Sequence, residues 1–101
     1  MAGVRLTDKR RAWLRRLLIG PANRPRGRVG YDCMRLKWTE WDYRTRDGVP
    51  IGFEDAKRIY GVEHVWEHIG SEGERLTEIG RRLAEAEDQE EVDAILAEGQ
   101  G

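Results

Sequence analysis

Glycine and proline breaks cut this chain into short pieces, and that limits its fold more than any other feature. Gly20-Pro21 opens a loop over 20–28 (GPANRPRGR) with two prolines, two glycines and three arginines. Asp47-Gly48 is a hairpin-turn signal, and Pro50 restricts the returning strand to a short edge piece. Gly61 stands where a helix would end, and Gly70-Ser71-Glu72-Gly73 breaks the pattern again. What lies between must be short elements around one modest core. A length of 101 residues suits a single domain. With 39% hydrophobic and 37% charged residues, that core is small and the surface well solvated.

Thr7 is a favourable N-cap, and after it Trp13, Leu14, Leu17 and Leu18 fall on one side of a helix. The spacing predicts a first helix over 8–19, with Arg11, Arg15 and Arg16 away from the stripe. From Val29 to Lys37 the period is again helical, but with two apolar faces. Val29, Cys33 and Leu36 share one; Tyr31, Met34 and Trp38 share the other; Arg28, Asp32 and Arg35 run down the edge. Such a helix is either sandwiched inside the protein or commits one face to a partner. Thr39 to Arg46 alternates as a strand does, with Trp41, Tyr43 and Thr45 opposite Glu40, Asp42, Arg44 and Arg46.

Phe53, Ala56, Ile59 and Tyr60 predict a short helix closed by Gly61, and Val62, Val65, Trp66 and Ile69 a second amphipathic one. Thr77 caps a helix carrying Ile79, Leu83 and Ala86 on one face. Asp88 with Glu91 is a capping-box pattern ahead of Val92, Ile95 and Leu96. The last three residues are expected to fray. The expected fold is mainly α with a small β-hairpin (α+β) in a single domain. Its parts are a basic helix-loop-helix-strand half over 1–46, a hairpin return and helices over 47–87, and an acidic C-terminal helix or tail over 88–101.

Charge divides along the same line. Residues 1–46 carry thirteen Lys and Arg against four Asp and Glu, and 47–101 carry five against fifteen, so a net charge of −1 hides halves at +9 and −10. Such asymmetry points to nucleic acid or a charged protein partner and says nothing about fold. Arg26, Arg28, Arg35, Lys37, Arg44 and Arg46, with Arg24, span a loop, a helix and a strand; adjacent in space, they would neutralise several phosphates. Tyr31, Trp38 and Trp41 interleave with them.

Catalytic chemistry has little to stand on. His64 and His68, at i, i+4 with Glu67 between, resemble half of a zinc-peptidase motif. A third ligand and a walled cleft are not apparent, so solvated histidines are expected. Ser71 is the only serine and no base is spaced to activate it. Gly27 and Gly30 match no phosphate-loop pattern. Cys33, the sole cysteine, excludes an intramolecular disulfide and a cysteine-based zinc site, and reads as a small buried residue in a reducing compartment. No apolar run approaches the ~20 residues of a membrane span and no signal peptide opens the chain. The expectation is a non-enzymatic cytoplasmic protein without cofactor, metal or membrane attachment.

Leu76-Thr77-Glu78-Ile79-Gly80-Arg81, followed by Arg82-Leu83, resembles the Leu-Thr-x-x-Gly-Arg segment after the last wing strand in winged helix–turn–helix regulators of the multiple-antibiotic-resistance type. The opening Leu6-Thr7-Asp8-Lys9-Arg10-Arg11 with Trp13-Leu14 is similar to the first helix of such domains. The resemblance implies a winged-helix-like domain of the small phage- or prophage-encoded kind that regulates transcription by binding duplex DNA. Residues 30–41 would hold the recognition helix and the start of the wing. Arg28, Tyr31, Arg35 and Lys37 would contact the major groove, and Arg44 and Arg46 would act from the wing. The chain departs from the pattern in having one short helix before the wing instead of two, and in the added stretch 51–70. Leu83, Val92, Ile95 and Leu96 offer a homodimer contact.

A rival reading is a protein-binding inhibitor of a host nucleic-acid-handling complex, an anti-defence or anti-CRISPR-like protein. Acidic residues around Glu90 and Glu91 would mimic phosphates, or Tyr31, Trp38 and Trp41 would anchor the interface.

Overall fold

A computed structural model of the chain describes residues 4–99. It is a small α+β domain in the order α1 (Asp8–Ile19), α2 (Val29–Arg35), β1 (Thr39–Thr45), α3 (Phe53–Tyr60), α4 (Val65–His68), β2 (Ile69–Leu76), α5 (Glu78–Glu85) and α6 (Gln89–Gly99). The expected fraying at residues 100 and 101 lies outside the described residues.

Helix α1 starts where the Thr7 hydroxyl accepts a 3.2 Å bond from the Arg10 amide, and its stripe of Trp13, Leu14 and Leu17 is buried. Around that stripe gather Cys33 of α2, Trp38, Leu83 and Ala84 of α5, and Val92 and Ile95 of α6. The arginines off the stripe are not idle. Arg11 donates to the Ala86 carbonyl and Arg15 to the Ala84 carbonyl at 3.3 Å, so α1 supplies cations to the C-terminal end of α5, where the helix dipole is negative. Helix α6 opens as its sequence predicts: the Asp88 carboxylate accepts from the Glu91 amide at 2.9 Å, and Glu91 reaches back to the Glu87 amide.

The sheet goes beyond the expected local hairpin. β1 pairs antiparallel with the distant β2, from Thr39 opposite Leu76 to Thr45 opposite Ile69, with an irregularity between Trp41 and Tyr43. The return after Asp47-Gly48 is as short as Pro50 demands, one bridge from Pro50 to Arg44 on the other edge of β1. Ala22 bridges Glu74 on the far edge of β2. Extended segments therefore lie in the order 22, β2, β1, 49–51. The stretch 70–73, read from sequence as a break, is strand: Gly70 and Ser71 pair with Arg44 and Tyr43 of β1, and just beyond it the backbone groups of Glu74 are satisfied by Ala22. Gly73 stands at φ 146°, and a β-carbon there would come 2.7 Å from the Ala22 backbone.

Other expectations need correction for the same reason. The amphipathic helix over 62–69 is one turn, α4; Val62 is exposed and Ile69 belongs to β2. Val65 and Ile69 instead form, with Ala56, a second small cluster under Tyr43, Phe53 and Tyr60. Trp38 is 2% exposed and part of the main core, so it is not an interface anchor. Leu83, Val92 and Ile95 are likewise buried in that core.

Candidate nucleic-acid interface

Helix α2 is the element that presents the predicted contacts. Its inner side is pinned by buried Gly30 and Cys33. Residues 28, 31 and 35 recur at i, i+3 and i+7, one outward face of a helix. Arg28 and Arg35 are 82% and 61% exposed at the side chain, and Tyr31 is 53% exposed. Asp32 lies on the same side, but its close partner is Arg10 at 3.3 Å. Arg28 and Arg35 stand 3.9 and 4.0 Å away, too far for hydrogen bonds. Their guanidinium donors therefore stay open to solvent.

The helix ends at Arg35, two residues before its apolar pattern does. The amides of Lys37 and Trp38 turn back to the carbonyls of Met34 and Cys33 at 3.0 and 2.9 Å, a Schellman-type closure that places Lys37 in the left-handed region at φ 68°. The Leu76-Thr77-x-x-Gly80 segment locks this corner. The Thr77 hydroxyl reaches the carbonyl oxygens of Lys37 at 2.7 Å and Trp38 at 3.0 Å while accepting from the Gly80 amide at 3.1 Å as the N-cap of α5. The segment that carried the resemblance thus fastens α5 to the end of α2.

Arg44 and Arg46 sit at the opposite end of β1, a strand about 20 Å long at ~3.3 Å per residue. Arg44 is held by the Asp42 carboxylate at 2.8 Å and the Gly48 carbonyl at 2.9 Å; Arg46 donates to the Glu67 carbonyl at 2.7 Å. They border a groove of about 760 Å³ whose walls also include Trp66 and the acidic Asp42, Glu67 and Glu72. Of the predicted cations, then, Arg26, Arg28, Arg35 and Lys37 gather on the loop and α2 as exposed groups. Arg44 and Arg46 form a separate pair with local partners.

Arg24 leaves the predicted basic set altogether. It pairs with Glu74, a carboxylate with no exposed surface, and its guanidinium carbon lies 5.1 Å from the centre of the Trp41 ring. Sequence gave no signal for this, because a glutamate in a glycine-flanked stretch reads as surface. Trp41 remains 43% exposed, and Glu90 and Glu91 are exposed on α6. The larger surface aromatic is Trp66, 62% exposed and 5.3 Å from Phe53 and 5.9 Å from Tyr43 between ring centres.

The histidines do not converge on a site: His64 faces Glu67 at 3.4 Å and His68 stacks on Tyr60 at 4.3 Å. Among the described residues no group of three or more His, Cys, Asp or Glu could hold a metal ion. No described helix is long and apolar enough to cross a membrane. Burial of the Cys33 thiol pushes its pKa from 9.0 to about 11, which suppresses thiolate chemistry. Compared with known proteins, the chain matches no family model, no curated protein and no solved structure.

Proposed function

We propose that this protein binds duplex DNA with the outer face of α2 and the loop before it, as a small winged-helix-like regulator of the phage type. The observation that carries the reading is the one-sided exposure of Arg28, Tyr31 and Arg35, with Lys37 at the helix end, on an element whose other side is anchored in the core. Rigid presentation is what groove recognition needs, since phosphate contacts fix register and side chains on one helix face then reach base edges. The fold offers two supports. The Ala22 bridge puts a third extended segment beside β2, and β2 runs directly into the Thr77 cap of α5. The β1 turn with Arg44 and Arg46 takes the place of a wing about 20 Å away, less than the ~34 Å of one duplex turn.

Amide chemical-shift mapping on adding a 30-base-pair duplex tests this reading. Shifts concentrated at 26–37, with weaker ones at 44–48, are expected. Shifts centred on α6, or on none of these, contradict it.

The protein-binding reading draws on a specific observation too, the exposed Trp66 beside Phe53 and Tyr43. It predicts a partner contact centred on 53–68.

A further inference from the structure

We propose that Arg24 is a positioning residue: it fixes α2 against the sheet so that Arg28, Tyr31 and Arg35 stand out as one face, and it touches no phosphate itself. The proposal rests on the DNA-binding reading above. Arg24 lies in the same arginine loop as Arg26 and Arg28, yet those two are exposed and Arg24 is not free. Its Nε donates to Glu74, whose other carboxylate oxygen accepts from the Thr39 hydroxyl at 3.0 Å. A fully buried carboxylate is tolerable only when paired, so Arg24 cannot leave Glu74 for a phosphate without stranding that charge.

The same side chain is also built into α2. Nη2 of Arg24 lies 3.3 Å from Met34 Sδ in the last turn of the helix. In the first turn, a β-carbon at Gly30 would sit 2.6 Å from the Arg24 β-carbon, so glycine lets the helix rest directly on the arginine stem. Trp41 of β1 covers the guanidinium, and the Ala22–Glu74 backbone bridge holds the loop two residues upstream. One residue thus joins β2, β1 and both ends of α2. A lysine has the charge but not the planar fork that serves Glu74 and Trp41 together.

The test uses Arg24→Met and Arg24→Lys in the full chain, at a temperature where circular dichroism finds each folded. Both are expected to move the amide signals of 29–35 as a block while those of α6 stay in place. Affinity for a fluorescein-labelled 30-base-pair duplex should fall about tenfold with the salt slope unchanged, whereas Arg26→Ala should lower that slope by about 0.9 without moving α2. The double variant Arg24→Met with Glu74→Gln, which removes the stranded charge, should regain stability lost by Arg24→Met while the α2 signals stay displaced and the affinity stays low, because the guanidinium contacts to Met34 and Trp41 remain lost.

Two results would overturn the proposal. One is a slope loss in Arg24→Met equal to that of Arg26→Ala, which makes Arg24 a phosphate contact. The other is a folded Arg24 variant with unmoved α2 signals. If the wild-type chain binds no duplex, the DNA reading falls, and the block shift of α2 still decides whether Arg24 positions it. Arg24→Lys serves where Arg24→Met does not fold.

Discussion

A β-carbon placed on Gly80 would stand 1.8 Å from the carbonyl oxygen of Trp38. Helix α5 therefore approaches the end of α2 as closely as it does only because position 80 has no side chain. Alanine is the better helix former by about 1 kcal/mol. Relieving the clash means moving backbone, since the obstacle is a carbonyl and not a flexible side chain. Gly80→Ala is therefore expected to lower stability by at least about 2 kcal/mol, read from urea unfolding.

Lys37 makes the opposite case. A left-handed residue with a β-carbon costs about 1–2 kcal/mol, and glycine in the unfolded chain returns about 0.5–1 of that. Lys37→Gly should raise stability by about 0.5–1 kcal/mol. If Lys37 also contacts a phosphate, the same variant should bind duplex DNA more weakly, with a salt slope lower by about 0.9. Stability and affinity moving in opposite directions would separate the two roles.

The tryptophans divide by environment. Trp38→Ala is expected to cost about 3–5 kcal/mol, because it empties the main core. Trp66→Ala removes a mostly exposed ring that touches only Tyr43 and Phe53 among aromatic neighbours, and should cost under about 1.5 kcal/mol. Thermal unfolding of the two variants checks the contrast; equal losses would mean the second cluster is as cohesive as the first.

Cys33 gives stability a signature at high pH. Burial is the main cause of its raised pKa; Asp32 and Glu74 add to it and Arg10 opposes it. Between pH 9 and 11 the unfolded chain loses this proton while the folded chain keeps it, so the unfolded state binds fewer protons and stability falls as pH rises. The contribution is complete below pH 9 and gone above pH 11. Cys33→Ala should lack this part of the decline, as seen by comparing urea midpoints at pH 8 and 10.5. In native protein at pH 8 a thiol reagent should react with Cys33 only as fast as the chain unfolds.

The helices were largely legible in the sequence because their signals are local. Thr7, Thr77 and Asp88 cap α1, α5 and α6 through contacts three residues away, and Gly61 closes α3. The partner of β1 was not legible. β2 contains Gly70, Ser71 and Gly73, residues that mark turns when nothing pairs with them, and its place is set by Ala22 and β1 from far along the chain. Glu74 hides a second time, since the partners that make its burial tolerable, Arg24 and Thr39, lie fifty and thirty-five residues upstream. On α2 the inner face of Val29, Cys33 and Leu36 was legible, but periodicity extended the helix through Lys37, two residues too far, and put Trp38 on one face with Tyr31. The Schellman closure at Lys37 rotates the Trp38 ring into the core, leaving Tyr31 outside. The face carrying Arg28 and Arg35 could thus be read from spacing, and its arginine anchor could not.

Fluorescence anisotropy of a labelled 30-base-pair duplex, titrated with the protein at several salt concentrations, tests the central claim most directly. Wild-type protein should bind with log K falling linearly in log salt, with a slope set by about 0.9 for each phosphate neutralised. Arg28→Ala with Arg35→Ala should remove about two of those units while leaving thermal stability unchanged, since both side chains are exposed and only loosely paired. No binding at low salt, or a slope that the double variant does not alter, would contradict a DNA-contacting face on α2.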